Sequence, residues 1–132
     1  MSAHKDVKMT GLTKTLSVPH LGGIYVGYRL SRESLDKGLP TLVLFNPFTT
    51  TADYYIPEFK NEYLTQAANL IAVELLGHGA TQTKTEQFTY WDSAIMTIQL
   101  LDALGVDKFF VLGTSQGGWV AVRTALLAPT RV

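Results

Sequence analysis

The stretch Phe109-Phe110-Val111-Leu112-Gly113-Thr114-Ser115-Gln116-Gly117-Gly118 decides the fold predicted for this chain. It begins as an apolar strand, passes through Gly-x-Ser-x-Gly and runs into the helix-forming residues 119–122. A strand that turns sharply into a helix strains the residue at the bend, and flanking glycines remove Cβ atoms that would clash there. The residue at the bend points its side chain away from the sheet, beside the positive end of the new helix. We expect Ser115 to occupy this bend.

The composition indicates one globular domain of ordinary size. The chain has 132 residues, of which 46% are hydrophobic and 17% are charged, and its 11 basic and 11 acidic residues give no net charge. A neutral chain without a basic cluster is not typical of proteins that bind nucleic acid or anionic lipid. The chain contains no cysteine, which excludes disulfides, thiolate metal sites and cysteine nucleophiles.

The sequence shows no sign of a membrane span or of secretion. No apolar run approaches the ~20 residues that cross a bilayer, and the opening Met-Ser-Ala-His-Lys-Asp lacks the apolar stretch of a signal peptide. We therefore expect a cytoplasmic protein with no metal, no cofactor and no nucleic-acid partner. We also expect residues 1–132 to form a single domain, with 1–13 as a flexible N-terminus.

Five segments are typical of strands. Segments 14–19 and 23–30 flank a glycine-containing turn and predict an N-terminal hairpin. The continuous apolar runs 41–45 and 70–75 are typical of strands that are covered on both faces. A further strand, 108–112, precedes the bend at Ser115.

The segments between these strands predict helices. Pro57 is well placed to begin a helix with Phe59, Tyr63 and Ala67 on one face. A second helix begins near Thr89, which forms a capping-box pattern with Asp92, and ends near Gly105. Its predicted apolar face consists of Trp91, Ile95, Ile98, Leu101 and Leu104. A hairpin followed by alternating strands and helices favours an α/β fold with a mostly parallel, twisted sheet and flanking helices.

These segments resemble the N-terminal half of an α/β-hydrolase-fold protein of the serine-nucleophile type. Residues 41–48 resemble the third strand and its oxyanion loop, and 70–79 resemble the strand that ends in an acidic residue and Gly-His-Gly. Residues 91–108 resemble the helix that leads to the nucleophile strand, and 113–117 resemble the nucleophile elbow. The resemblance runs from about Lys14 to the end of the chain, and implies a fold that is truncated after the elbow.

The resemblance implies a role for three residues. Ser115 would be the nucleophile of acyl transfer, and the backbone N–H groups of Gln116 and Phe48 would form the oxyanion hole. The family more often carries His-Gly where this chain has Asn46-Pro47, so the path of the loop before Phe48 is open. The alternative for Ser115 is a serine in a structural or phosphate-binding turn.

We do not expect the other histidines or Glu74 to take part in catalysis. His78, in the Gly-His-Gly turn, is expected to pack beside the site and not to act as the general base. His4 and His20 are expected to be solvated. Glu74 takes the place where the family often carries Asp, and is expected to fix neighbouring loop amides.

Several aromatic residues lie near the predicted site. Trp91 and Trp119 are expected to be core or helix-packing residues. Phe48, Tyr54 and Tyr55 either line an apolar acyl pocket or cover the core, and the sequence leaves both alternatives open.

The sequence after Ser115 contains no candidate for the catalytic acid or the catalytic histidine. The family's triad runs in the order Ser, acid, His, yet no His, Asp or Glu follows Ser115. The resemblance therefore implies that the chain corresponds to about half of a family member. Strand 109–112 would then be an exposed apolar edge open to self-association.

Two functions remain open at this point. The first is serine-dependent hydrolysis of an ester, thioester or related small apolar metabolite, with secondary-metabolite biosynthesis as one conceivable setting. The alternative is a truncated, non-catalytic pseudoenzyme or interaction module that pairs through its exposed sheet edge.

Overall fold

A computed structural model describes residues 12–132. The predicted flexible segment 1–13 therefore falls almost entirely outside the described residues, as does His4. The described chain forms a six-stranded sheet with the order β1-β2-β4-β3-β6, and β5 lies beside β2. The strands are β1 (Lys14–Val18), β2 (Ile24–Leu30), β3 (Thr41–Phe45), β4 (Asn69–Val73), β5 (Gln82–Thr83) and β6 (Phe110–Gly113).

The sheet is mixed. The predicted hairpin of β1 and β2 is present, and β2 also pairs antiparallel with β4 and with β5. Parallel pairing is confined to β4, β3 and β6. The α/β fold class is thus confirmed, whereas the expectation of a mostly parallel sheet is corrected because β1, β2 and β5 all run against their neighbours.

In the described residues, four helices flank the sheet: α1 (Ile56–Phe59), α2 (Glu62–Ala67), α3 (Tyr90–Ala103) and α4 (Gln116–Leu127). Short 3₁₀ turns cover His20–Gly22 and Ala52–Tyr55. The single helix predicted after Pro57 is in fact two helices, because the Asn61 side chain accepts a hydrogen bond from the Leu64 N–H and starts α2. Tyr63 is consequently 89% exposed and does not share a buried face with Phe59.

Helix α3 begins at the predicted cap, but its buried face matches the prediction only in part. Thr89 and Asp92 form the expected capping box. The buried side chains are Ser93, Ala94, Met96, Thr97, Leu100 and Leu101. Of the predicted face, Leu101 is buried and Leu104 packs half-buried against the core, whereas Trp91 is exposed. Small hydroxyl residues can face the sheet here because their polar atoms are satisfied: Thr97 donates to the Ser93 carbonyl at 2.8 Å.

The core has two layers, one on each side of the sheet. Helices α3 and α4 cover one face, over side chains that include Val43, Phe45 and Ile71. The turn at Ala52–Tyr55, Phe59 and Leu64 cover the other. In the part of the chain that the structure describes, no helix is long and apolar enough to cross a membrane.

Strand β6 lies at the end of the sheet. Among residues 12–132 it pairs only with β3. Phe110 is 66% exposed and Leu112 is 46% exposed, and the two side chains lie on the same face of the strand. Strand β6, which precedes Ser115, is therefore an apolar strand at the edge of the sheet.

Candidate active site

The Gly-x-Ser-x-Gly stretch forms a sharp strand-to-helix bend. Ser115 follows β6, stands at the N-cap of α4 and has φ 56° and ψ −119°, a backbone conformation that costs a non-glycine residue free energy. A Cβ on Gly113 would lie 2.0 Å from the Gly117 carbonyl oxygen, and a Cβ on Gly117 would lie 2.3 Å from the Phe45 carbonyl oxygen. Both glycines are therefore required by the close approach of α4 to β6 and β3, as the sequence predicted.

The side chain of Ser115 is presented at the surface of this bend. The residue is exposed, and its carbonyl accepts a hydrogen bond from the Gly118 N–H at 2.9 Å. Among residues 12–132, its hydroxyl group forms no hydrogen bond. The hydroxyl is thus free to meet a ligand.

The buried side chain of Tyr55 holds the bend before Ser115 against the end of β3. Its hydroxyl group donates to the Phe45 carbonyl at 2.7 Å and lies 3.1 Å from the Thr114 hydroxyl. Tyr55 is 2% exposed, and burial raises the pKa of its phenol above the ordinary value. Of the two alternatives left open for this aromatic residue, the structure supports a place in the core.

The loop after β3 is held by a buried amide. Asn46 is fully buried, and its Nδ2 donates to the carbonyls of Pro47 and Thr50 at 3.0 Å. Its Oδ1 accepts a hydrogen bond from the Leu75 N–H at 3.1 Å. The asparagine that replaces the family's commoner histidine therefore closes the loop on itself and ties it to the end of β4.

His78 connects this loop to the start of α4. Its Nδ1 lies 3.0 Å from the Leu76 carbonyl, and its Nε2 accepts a hydrogen bond from the Thr49 N–H at 3.1 Å. The Gln116 side-chain amide lies 3.2 Å from the same Nε2. A backbone N–H on Nε2 requires the neutral ring with its proton on Nδ1. His78 therefore packs beside the bend, as expected, and its lone pair is occupied.

The two backbone groups predicted to form an oxyanion hole have no internal partner. Among residues 12–132, neither the Phe48 N–H nor the Gln116 N–H donates a hydrogen bond. Gln116 is the first residue of α4, where backbone N–H groups have no intrahelical acceptor. Both groups are thus available to an acceptor outside the described chain.

Glu74 has the structural role that the sequence predicted. It is 2% exposed, and its two carboxylate oxygens accept hydrogen bonds from the N–H groups of Ala52 and Ala80, both at 2.9 Å. A Cβ on Gly79 would lie 2.2 Å from the carboxyl carbon. The carboxylate thus fixes the loops after β3 and β4 around the site.

His20 is not simply solvated, contrary to expectation. Its Nε2 lies 2.8 Å from the Asp92 carboxylate, and its backbone N–H donates to Gln99 at 2.9 Å. Burial raises the pKa of Asp92, but hydrogen bonds from Thr89 and His20 outweigh burial, so the pKa lies below its ordinary value. His20 therefore fastens the β1–β2 turn to the start of α3.

A cavity of about 580 Å³ opens beside the bend. Phe48, His78 and Gln116 line it beside the bend, and Trp91 and Arg123 are among its other lining residues. The wall is mainly aromatic and aliphatic. Among the described residues, no group of three or more His, Asp or Glu side chains is placed to hold a metal ion.

The aromatic residues around this cavity can be compared with the alternatives that the sequence left open. Trp91 is 42% exposed and Trp119 is 61% exposed, so neither is a core residue, but Trp91 on α3 packs against Arg123 on α4. Phe48 lines the cavity, whereas Tyr54 does not. Arg123 was not predicted as part of the site, and its spacing of four residues from Trp119 on α4 is the only signal that could have suggested it.

Curated relatives share the greater part of this chain. A 2-heptyl-3-hydroxy-4-quinolone dioxygenase from Rhodococcus erythropolis is 32% identical over 108 residues, which cover 80% of this chain and 38% of the relative. Human epoxide hydrolase 4 is 31% identical over 102 residues, which cover 74% of this chain and 27% of the relative. The chain thus spans well under half the length of these relatives.

Solved structures share the fold. A hydrolase from Pseudomonas aeruginosa superposes with a TM-score of 0.78 at 30% identity, covering 92% of this chain and 43% of its own. A carboxylesterase structure from the thaumarchaeon Nitrososphaera gargenis superposes with a TM-score of 0.78 at 28% identity. The match covers 90% of this chain and 42% of the carboxylesterase chain. The family model described as the alpha/beta hydrolase fold matches residues 40–132. This chain therefore belongs to the α/β-hydrolase-fold family.

Proposed function

We propose that this chain is the nucleophile-bearing part of a serine hydrolase that acts on small apolar esters or thioesters. The observation that carries the proposal is the strained, exposed Ser115 at the start of α4, held by glycines that admit no side chain. The free N–H groups of Phe48 and Gln116 support it further. A serine in a merely structural turn needs neither strain nor unpaired donors.

The proposed reaction is acyl transfer through Ser115. Its Oγ forms a bond to the carbonyl carbon, and the carbonyl oxygen takes up negative charge that the Phe48 and Gln116 N–H groups stabilise. Collapse breaks the bond to the alcohol or thiol, which leaves with the proton that Ser115 gave up. Water then attacks the acyl-serine, releases the acid and restores Ser115.

The general base must come from outside residues 12–132. Serine is a weak nucleophile without one. The lone pair of His78 Nε2 is occupied by Thr49, and His20 pairs with Asp92 at the β1–β2 turn. The family's chain order places the acid and the base after the nucleophile, which agrees with this assignment.

The substrate class is proposed from the cavity and the chemistry of serine. The cavity beside Gln116 is mainly apolar, which favours an apolar acyl or aryl body. The relatives' names refer to a quinolone, to epoxides and to carboxylic esters, and a serine nucleophile favours the last of these classes. A cytoplasmic location and a role in secondary metabolism remain parts of this proposal.

Acylation of Ser115 tests the proposal. The chain would be mixed with p-nitrophenyl butyrate, with and without imidazole as a diffusible base, and its intact mass would be followed over time. We expect a butyryl adduct that forms faster with imidazole, maps to Ser115 and is absent from Ser115→Ala. If no adduct forms at Ser115 at any imidazole concentration, the proposal fails.

The exposed edge of β6 favours a second candidate function, self-association. Among residues 12–132, β6 pairs on one side only and carries the exposed apolar side chains Phe110 and Leu112, so its open backbone edge is of the kind by which two strands pair. The partner proposed here is a second copy of this chain. Sedimentation of the chain should show a dimer or larger species, and Leu112→Lys should shift it toward monomer, while Leu126→Lys on α4 should not. A native chain that stays monomeric across the concentration range would contradict this candidate.

A further inference from the structure

The cavity wall carries an uncompensated positive charge at Arg123, two turns of α4 away from Gln116. Among the described residues that line the cavity, Arg123 alone has a permanent charge, and none is acidic. Arg29 and Arg131 form ion pairs with Asp53 and Asp102. Within residues 12–132, Arg123 forms no ion pair. A half-buried guanidinium without a counter-ion, in an apolar wall, is unusual because burial penalises unpaired charge.

The hydrogen-bonding groups of this guanidinium are largely unused. Nη1 donates to the Trp119 carbonyl at 3.1 Å. The buried Nε has no acceptor, and Nη2 forms no hydrogen bond within the described residues. Arg123 therefore retains donors of the kind that bind carboxylates.

Three aromatic rings hold the guanidinium in place. The Cζ atom lies 5.1 Å from the ring centre of Trp91, 5.6 Å from that of Trp119 and 5.8 Å from that of Tyr90. Cation–π attraction at these distances stabilises the charge without neutralising it. The arrangement fixes the side chain that lines the cavity while leaving its charge for an anion.

We propose that Arg123 binds a carboxylate group of the substrate. This inference rests on the proposed function and specifies its substrate class: an ester or thioester whose apolar body ends in a free carboxylate. Gln116 and Arg123 lie seven residues apart on α4, so their backbones are separated by about 10 Å along the helix. The reacting carbonyl would lie by Phe48 and Gln116, the apolar body would fill the cavity and the carboxylate would reach Arg123.

Intrinsic fluorescence can test this site directly. The only two tryptophans of the chain, Trp91 and Trp119, both lie against Arg123. The chain would be titrated with 4-phenylbutyrate and, separately, with the neutral amide 4-phenylbutyramide. We expect a saturable change with the acid, and about tenfold to hundredfold weaker binding of the amide, as for the loss of a charge-assisted hydrogen bond.

Substitutions of Arg123 test whether the preference for the acid over the amide depends on this side chain. Arg123→Gln should bind the acid and the amide equally, and Arg123→Lys should retain part of the preference and show that the site tolerates substitution. Lys108→Gln removes the charge of an exposed lysine elsewhere and should bind like the native chain. Equal binding of acid and amide to the native chain, absence of binding by the acid, or an unchanged preference in Arg123→Gln would overturn the inference.

The same assay separates this inference from the proposed function. Ser115→Ala should bind 4-phenylbutyrate as the native chain does. If Ser115 is never acylated but the preference for the acid depends on Arg123, the hydrolase proposal fails and the carboxylate site stands. If Ser115 is acylated and the preference is absent, only the carboxylate site fails.

Discussion

The Nε2 atom of His78 accepts a hydrogen bond from the backbone N–H of Thr49 at 3.1 Å. The Gln116 side chain lies 3.2 Å from the same atom, and the Phe48 ring packs edge-on against the imidazole at 5.7 Å between centres. One side chain thus links the loop after β3 to the start of α4. These are the two segments whose N–H groups are the proposed oxyanion donors, so we expect His78 to help hold the two donors at a fixed separation.

Replacing His78 should slow acylation of Ser115. In His78→Ala, the Thr49 N–H and the Gln116 amide lose their shared acceptor, so the two donors are no longer held at a fixed separation. We expect acylation by p-nitrophenyl butyrate to fall by about tenfold, a fraction of the loss of a whole oxyanion donor. Amide hydrogen exchange at Thr49 should accelerate in the same variant.

His78→Gln is the matched variant. Its side-chain oxygen can take the place of Nε2 and accept from Thr49, so it should recover part of the acylation rate and of the protection at Thr49. Native rates in His78→Ala would show that the link does not position the donors.

Alanine substitutions at Gly117 and at Gly118 should have different effects on the free energy of unfolding. A Cβ at Gly117 would meet the Phe45 carbonyl oxygen at 2.3 Å, whereas a Cβ at Gly118 has no neighbour nearer than 3.5 Å. We expect Gly117→Ala to lower the free energy of unfolding by about 1–3 kcal/mol, as overpacking does. Gly118→Ala should be neutral or raise it by up to about 1 kcal/mol, because alanine favours helix. Urea unfolding of both variants measures the difference, and equal effects would contradict the packing at the bend.

Both carboxylate oxygens of Glu74 should be needed as hydrogen-bond acceptors. In Glu74→Gln, an amide NH₂ would face the N–H of Ala52 or Ala80, so one buried donor loses its acceptor. We expect the free energy of unfolding to fall by about 2–3 kcal/mol. Glu86→Gln, in an exposed loop, should change it by less than about 0.5 kcal/mol. Similar unfolding curves for the two variants would be evidence against the proposed bracing of the loops.

The lowered pKa of Asp92 predicts that the stability of the folded chain depends on pH. Because its pKa is lower in the folded chain than the ordinary value of 3.8, its contribution is present above pH 3.8 and is lost as the pH falls through the folded pKa. Asp92→Asn should therefore be less stable than the native chain near pH 6, by about 1 kcal/mol as for a lost cap.

The difference between Asp92→Asn and the native chain should shrink in acid. Urea unfolding at about pH 6 and about pH 3 measures it. A difference that stays constant or grows as the pH falls would show that the ionised Asp92 is not the source of the stability.

The bend and five of the six strands described in residues 12–132 could be predicted because their causes are local, whereas the short strand β5 was not predicted. The apolar run at 41–45 matches β3 without error. The requirement for Gly113 and Gly117 follows from sterics that any strand-to-helix bend imposes. The capping box at Thr89 likewise lies within one turn of helix.

What the sequence did not predict depends on contacts between distant segments. His20 and Asp92 are 72 residues apart, and neither residue type indicates the pair. The buried face of α3, which includes Ser93 and Thr97, is decided by contacts with α4 and with the sheet. The rings around Arg123 meet only because α3 packs beside α4.

Site-resolved labelling with a fluorophosphonate tests the central claim most directly. The serine Oγ displaces fluoride from phosphorus, so only a nucleophilic serine acquires the stable adduct. The account predicts one adduct, on the peptide that contains Ser115, which forms faster with added imidazole and disappears in Ser115→Ala. Labelling that is absent, or that is equal on the native chain and Ser115→Ala, would contradict it.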